Sequence, residues 1–367
     1  MKILFDHQTF TRQEFGGISR YFYELLNQGM MDKENQVNLS LLFSNNAYLT
    51  ENEQIRYQRF FPGKFFKGKV RLQLYINELY SSKLIRKQNF DILHPTYYDT
   101  YFLKHIKNKP FTITYLDMIH EKFVGQFPEL GFDRTLMENK RMLIHEADRV
   151  IAISQATKDD MVDHYGVNAD KVEVIHLGSS FDVAQIDPVR MINKPYILYV
   201  GSRDYYKNFQ FCLESISPIL RKYDISLVCG GGGQFSTLEV EFIEKLQLKE
   251  LVQNFAINDI ILGNLYRYSE AFIFPSLYEG FGIPVLEAFS CGAPCLLSNG
   301  GSLPEVGGDA AIYFDPADSD SIKTAVELIL GNHNLKQELI KKGEERLLEF
   351  SWRKTYDKTL KFYRSIL

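Results

Sequence analysis

Long hydrophobic runs are missing from this 367-residue chain, and so is a strong charge of either sign. No stretch approaches the roughly 18 apolar residues of a membrane span. MKILFDHQTF goes directly into a strand-like run without the apolar core of a secretion signal. The expectation is a cytosolic protein, able to touch a membrane only from the inside. A formal net charge of -4 gives no reason to expect nucleic acid as a partner. The four cysteines, Cys212, Cys229, Cys291 and Cys295, sit in apolar surroundings without zinc spacing, and CGAPC is better explained by buried small residues than by a redox pair. No G-x-G-x-x-G follows the first strand, so a nicotinamide fingerprint is absent. No Asp-x-Asp element stands out as a metal site, and there is no fixed-period repeat or low-complexity tract.

Aromatics are abundant, with 28 Phe and 22 Tyr, and charged residues make up 24%, which is the composition of a folded protein. The length suits two domains, each with its own core. Short apolar strands alternate with amphipathic helices, as parallel α/β sheets require. Strands are expected at 2–5, 37–42, 92–94, 112–115, 150–153 and 172–175 in the first half. The second half repeats the pattern at 196–200, 226–229, 259–262, 271–274, 294–297 and 311–314. The polar link 178–194, with Pro188 and Pro195 beside it, marks the domain boundary.

Residues 275–287, PSLYEGFGIPVLE, carry the densest chemical signal. A buried strand ends at Pro275, Glu279 lies in the turn, and Gly280 and Gly282 permit close backbone approach or positive φ. Pro284 suits the first turn of a helix that continues through Glu287. Amides near Gly282 and Ile283 would attract phosphate, and Glu287 could accept hydrogen bonds from vicinal hydroxyls such as those of ribose. The bland alternative is an acidic helix start that only complements the helix dipole.

EGFGIPVLE resembles the Glu-x7-Glu motif of retaining, nucleotide-sugar-dependent glycosyltransferases of the GT-B fold, in the mannosyltransferase-like branch of bacterial polysaccharide biosynthesis. FGGISRYFYELL (15–26), DRVIAISQATKDDM (148–161), YILYVGSRDYYKN (196–208) and SCGAPCLLSNGGSLPEVGGDAAIYFDP (290–316) extend the resemblance over nearly the whole chain. It implies an α/β GT-B fold, with two Rossmann-like domains facing a central cleft. Residues 1–180 would form the acceptor domain, 181–350 the nucleotide-sugar donor domain, and 351–367 a helix returning to the first.

On this resemblance Glu287 holds the ribose and Glu279 the donor sugar, with Gly280, Phe281, Gly282 and Ile283 lining the donor. Gly16 and Gly17 let the first domain approach the donor phosphates and acceptor, although a plain loop-to-helix turn explains them as well. Arg203 and Lys207 are candidate cations for the diphosphate, where fixed positive charge offsets the charge of a departing nucleoside diphosphate. The family usually has arginine directly after the strand glycine, where this chain has Ser202. Asp117, or His120, would stand nearest the reacting carbon, although relatives commonly carry His where Leu116 lies and His120 suits a structural role equally well. A second departure is 260–275, IILGNLYRYSEAFIFP, which lacks the longer loop and helix that relatives place before the next strand, a region that touches the base. The glycine run 230–233 is expected to be a flexible turn, and GGSLPE (300–305) a structural loop.

Residues 56–71, RYQRFFPGKFFKGKVR, interleave six cations with five aromatics and contain no acid. Such a segment suits an anionic membrane surface and a lipid-linked glycan. A loop with aromatics packed inward and cations in water is an equal alternative. The resulting expectation is a metal-independent hexosyltransferase without a cofactor, using a GDP-mannose or UDP-glucose type donor and a glycan or lipid-linked glycan acceptor. The alternatives are a nucleotide-sugar epimerase and a donor-binding relative that has lost turnover.

Overall fold

The computed structural model describes residues 1–127, 133–179, 181, 183–203 and 205–367. Ser180 and Asp182 of the expected link lie outside them. The chain divides into two compact units, Met1–Leu177 with Trp352–Leu367, and Gly178–Ser351.

The first unit contains strands β1 (Lys2–Asp6), β2 (Gln36–Ser40), β3 (Ile92–His94), β4 (Thr112–Tyr115), β5 (Arg149–Ala152) and β6 (Val172–Val174). All pair in parallel, in the orders β2-β1-β3 and β4-β5-β6, and a bridge from Leu93 to Phe111 links the two sheets. Its helices are α1 (Gln8–Arg12), α2 (Gly17–Met31), α3 (Lys69–Arg86), α4 (Ile119–Phe123), α5 (Arg134–Glu146) and α6 (Gln155–Tyr165). Tyr21, Phe22, Leu25 and Leu26 are the buried stripe of α2, as their helical spacing predicts.

The second unit has β7 (Tyr196–Val200), β8 (Ser226–Gly230), β9 (Val252–Phe255), β10 (Ala271–Phe274), β11 (Cys295–Ser298) and β12 (Ala311–Phe314). They form one parallel sheet in the order β12-β11-β10-β7-β8-β9. Chain progression therefore reverses between the neighbours β7 and β10. Helices α7 (Phe209–Lys222), α8 (Thr237–Lys245), α9 (Asp259–Arg267), α10 (Ile283–Ser290), α11 (Leu303–Gly307), α12 (Ser319–Gly331) and α13 (His333–Leu347) complete this unit.

One expected strand is a helix. Residues 259–262 open α9, because Asn258 caps it by accepting from the Ile261 N–H at 2.8 Å and because Leu262, Leu265 and Tyr266 follow the helical spacing and are buried. The strand of this region is β9, which lies at the sheet edge and is only partly buried. A helix, α9, does therefore precede β10.

The last helix, α14 (Trp352–Arg364), buries Trp352, Thr355, Tyr356, Thr359, Leu360, Phe362 and Tyr363 within the first unit. The Tyr363 hydroxyl shares a 2.6 Å hydrogen bond with His94 Nδ1, and His94 Nε2 meets the Thr114 hydroxyl at 2.9 Å. Burial pushes the His94 imidazole down to about 3, so it serves here as a neutral brace. All four cysteines are buried and unbridged. Among the described residues no helix is long and apolar enough to cross a membrane.

Candidate active site

In an open parallel sheet, the loops leaving adjacent strands part at the place where strand order reverses, and a crevice opens there at the carboxyl ends. In the second unit these are the loops after β7 and β10. The Leu277 N–H donates to the Tyr206 carbonyl at 2.8 Å, tying the two loops together. Across this tie, Lys207 Nζ donates to Glu279 Oε1 at 2.6 Å. Their side chains are 15% and 11% exposed, so the pair is largely withdrawn from water yet reachable by a ligand. The ammonium also faces the rings of Tyr206 at 5.0 Å and Phe274 at 5.3 Å. Burial works against the Lys207 charge, but Glu279 beside it prevails and holds the ammonium above its ordinary value.

The backbone of Glu279 is clamped by the expected structural loop. Its carbonyl accepts from the Ser302 N–H at 3.2 Å and the Ser302 hydroxyl at 3.0 Å. Gly301 has φ of +58°, and a Cβ there would lie 2.7 Å from the Glu279 carbonyl oxygen, so any larger residue would displace the acid. Gly282, with φ of +99°, is the N-cap of α10. Gly280 and Phe281 are buried, Phe281 packing edge-on against Phe350 at 5.8 Å, while Ile283 is half-buried in the first turn of α10.

One turn into α10, Glu287 accepts from the Tyr266 hydroxyl at 3.1 Å. Part of the residue meets solvent, yet the protein packed around its carboxyl pushes it up to about 7, against the opposing pull of the Tyr266 hydrogen bond. Near neutral pH this group can accept or donate. The sequence singled out Glu287 but missed its partner, because the helix that carries Tyr266 was expected to open as a strand at 259–262.

Arg203 stands apart from this cluster. Its Nε donates to Glu239, Nη1 to the Gly231 carbonyl, and Nη2 to the carbonyls of Gly232, Gly233 and Gln234. With the side chain 4% exposed, the guanidinium is occupied in holding the glycine run. That run turns carbonyls toward a cation, the opposite polarity from a phosphate cradle, which presents N–H groups. Arg203, expected beside Lys207 as a second cation for the diphosphate, is engaged here with Glu239 and the glycine run instead.

Gly16, Gly17, Asp117 and His120 belong to the first unit. Gly16, with φ of +154°, precedes α2, and Gly17 begins it. There the Gln13 side chain accepts the Ser19 N–H at 3.0 Å. Asp117 accepts from the Ile119 N–H at 3.1 Å, and His120 lies half-buried in the first turn of α4. Beneath them is an ion pair that sequence reasoning did not single out. Lys140 Nζ donates to the Asp117 carbonyl at 3.0 Å and pairs with Glu121 at 2.8 Å, with side chains 2% and 0% exposed. The Tyr165 hydroxyl completes the set, donating to Glu121 at 2.7 Å. Leu116 is buried, consistent with an apolar residue at that position.

Two family models divide the chain between them. Residues 15–182 match the Glycosyltransferase Family 4 model and residues 186–346 the Glycosyl transferases group 1 model. The chain is thus built as a glycosyltransferase, joining a Glycosyltransferase Family 4 domain to a Glycosyl transferases group 1 domain. An uncharacterized glycosyltransferase of Methanocaldococcus jannaschii is 26% identical over 297 residues, covering 75% of each chain. The O-antigen chain mannosyltransferase B of Escherichia coli is 26% identical over 234 residues, 60% of this chain and 61% of the relative. This glycosyltransferase therefore aligns with less than two thirds of the latter. Among solved structures, Anabaena HepE in complex with UDP and glucose has a TM-score of 0.75 at 17% identity, with full coverage of both chains. Sucrose-phosphate synthase from Thermosynechococcus elongatus has a TM-score of 0.74 at 19% identity, covering 100% of this chain and 99% of that one. These likenesses establish the GT-B fold.

In this glycosyltransferase, the structure brings together Lys207, Glu279, the 280–283 turn and Glu287, each fixed by contacts within the second unit. Among the described residues no cluster of three or more His, Cys, Asp or Glu could hold a metal ion. The Asp318-Ser319-Asp320 triplet serves as a helix cap, Asp318 accepting from the Asp320 N–H at 2.9 Å.

Proposed function

We propose that the protein moves a hexose of the mannose or glucose type from a nucleotide diphosphate sugar to a hydroxyl of a growing glycan, with retention of configuration and without a metal ion. The observation that carries this reading is the meeting of Lys207 and Glu279 at the strand-order reversal, with Glu287 one turn into the adjoining helix. Departure of a nucleoside diphosphate builds negative charge on phosphate oxygens, and the fixed Lys207 ammonium lowers that barrier. Glu279, drawn against Lys207, takes hydroxyls of the donor sugar. Glu287, poised near neutrality, matches vicinal ribose hydroxyls that both donate and accept.

In the proposed step the bond from the anomeric carbon to the β-phosphate oxygen breaks while the acceptor oxygen attacks the same face. The acceptor proton passes to the departing phosphate. Asp117 and His120 are the proposed groups of the first unit nearest this event, and Gly16 and Gly17 its proposed approach to phosphates and acceptor. The donor we favour is GDP-mannose, supported by the mannosyltransferase named among the relatives, ahead of UDP-glucose. The acceptor is a glycan or lipid-linked glycan of polysaccharide, O-antigen or capsule assembly, met at the cytoplasmic side of an anionic membrane.

Thermal stabilisation by GDP, UDP and dTDP with chelator present tests the donor site, since a ligand that binds only the folded state raises its stability by mass action. A shift with one nucleotide, absent in Glu287→Ala, is the expected result, followed by transfer from the matching sugar nucleotide in chelator. No shift with any of the three would overturn the donor-site assignment, and transfer that stops in chelator would overturn metal independence.

A further inference from the structure

Helix α3 is built inside out. Four of its five buried residues are polar, namely Gln73, Asn77, Ser81 and Ser82. Asn77 donates to the Thr11 hydroxyl at 2.8 Å and to the Phe43 carbonyl at 2.7 Å, and Ser81 meets the hydroxyls of Ser40 at 2.6 Å and Tyr101 at 2.7 Å. Half of the outer positions are apolar, with Val70 54% exposed, Leu72 43%, Tyr75 59% and Leu79 54%, and they alternate with the exposed charges of Arg71, Glu78, Lys83 and Arg86. Leu72, Tyr75 and Leu79 follow helical spacing and share one face. Leu74, Ile76, Tyr80 and Leu84 lie half-buried between the two faces. A helix of a water-soluble domain normally turns its apolar side to the core, so this one displays a surface made for contact.

The loop leading into α3 extends the patch. Phe60 is buried against Phe43 at 5.2 Å, which anchors the loop, whereas Phe61, Phe65 and Phe66 are 47%, 95% and 43% exposed. Lys69 Nζ donates to the carbonyls of Phe61 at 3.0 Å and Lys64 at 2.9 Å, fixing the turn that presents them. A cavity of about 570 Å³ opens beside these residues, lined among others by Arg12, Lys67, Lys69 and Arg71. Residues 54–87 hold nine Lys and Arg against one acid, Glu78, in a chain whose net charge is -4.

We propose that the outer face of α3 and the 61–68 loop seat the protein on an anionic lipid bilayer. The aromatics and leucines enter the interfacial zone while the flanking cations meet lipid phosphates, the arrangement of an interfacial amphipathic element. A second copy of the chain fits poorly, because a symmetric contact would set this cationic surface against itself. The purpose of the seat rests on the lipid-linked acceptor proposed above, but its test reads vesicle binding and is independent of nucleotide binding.

Flotation of the full chain with phosphatidylglycerol–phosphatidylcholine vesicles and with phosphatidylcholine vesicles is the experiment. Wild type is expected to partition at least about tenfold more strongly to the anionic vesicles, each basic residue near such a surface adding favourable attraction. Lys64→Gln, Lys67→Gln and Arg71→Gln combined should weaken binding by about a hundredfold, and Leu72→Gln with Leu79→Gln should also release the protein. Both variants should keep the wild-type melting temperature and nucleotide shift, since the substituted side chains are exposed. Absent wild-type binding, equal binding to neutral vesicles, or variants that bind like wild type would each overturn the proposal. So would a wild-type dimer that ignores vesicles and becomes monomeric in Leu72→Gln with Leu79→Gln, measured by sedimentation velocity.

Discussion

Lys207 and Glu279, 72 residues apart in sequence, meet at 2.6 Å where the second sheet reverses its strand order, so a ligand phosphate entering this site finds its cation already engaged by a carboxylate. The two members should therefore fail differently when removed. Lys207→Gln is expected to weaken nucleoside diphosphate binding by about 10- to 100-fold, the worth of one charge-assisted hydrogen bond. Glu279→Gln leaves the ammonium unopposed and should bind the nucleotide at least as well as wild type, while sugar transfer falls by about 100-fold or more. Calorimetric titration beside a transfer assay separates the two effects, and equal loss of nucleotide affinity in both variants would refute this division of roles.

Glu287 predicts a pH dependence of opposite sign to that of an ordinary paired carboxylate. Burial pushes its carboxyl up to about 7 in the fold, against an ordinary value of 4.5, so the folded state holds its proton more tightly than the unfolded one. The favourable contribution is present below the unfolded value and is lost as pH rises toward 7. Glu287→Gln keeps an acceptor for Tyr266 and should be more stable than wild type at pH 8 by about 1–3 kcal/mol. The difference should vanish near pH 4 in urea unfolding, and a gap independent of pH would rule this account out.

Arg203 is expected to act on stability and not on binding. Arg203→Gln removes the donor set that gathers the carbonyls of residues 231–234 and leaves Glu239 without its guanidinium. A loss of about 2–4 kcal/mol follows for such a buried, charge-assisted cluster. Nucleotide affinity should stay within about threefold of wild type, on the scale where 1.4 kcal/mol is tenfold. A tenfold or larger loss in calorimetry would instead put the guanidinium on the phosphates.

Lys140→Met should be the most damaging of these substitutions to the first unit. It strands the Glu121 carboxylate in a site without water access, where breaking a buried pair costs about 3–5 kcal/mol. In wild type, burial opposes the Glu121 charge, but Lys140 and Tyr165 hold its carboxyl below the ordinary value. The stability this supplies is present above the unfolded value of 4.5 and fades as pH falls through the folded one. Adding Glu121→Leu to Lys140→Met should recover much of the loss, and a double variant as unstable as the single one would contradict the pairing.

Much of the candidate site was legible because it is local. Gly280, Gly282, Pro284 and two acids within one turn and one helix start define their own geometry. Lys207 could be placed by its distance from a strand that ends at Val200. What could not be read depends on partners far along the chain. The contacts of Arg203 with Glu239 and the glycine carbonyls join residues up to 36 positions apart and leave no local mark in the sequence. The run Ile260-Ile261-Leu262 has the composition of a strand, yet the Asn258 cap and the 3.6-residue spacing of Leu262, Leu265 and Tyr266 decide for a helix. The true strand, Val252–Phe255, sits at the sheet edge and carries too few buried residues to announce itself. On α3, Gln73, Asn77 and Ser81 face inward while Leu72, Tyr75 and Leu79 are exposed, a reversal of the usual burial that only the structure shows.

Trp352–Leu367 belongs to the same unit as Met1–Leu177, whereas Gly178–Ser351 forms its unit from one uninterrupted stretch. During synthesis, the half that emerges first therefore cannot finish folding first. Until the segment carrying Tyr363 leaves the ribosome, His94 lacks one of its two hydroxyl partners and the groove for the last helix stays open. The later half can close as soon as its own residues are out. The nascent first half is thus the species most in need of protection from aggregation, and a stall before Trp352–Leu367 emerges would leave it incomplete.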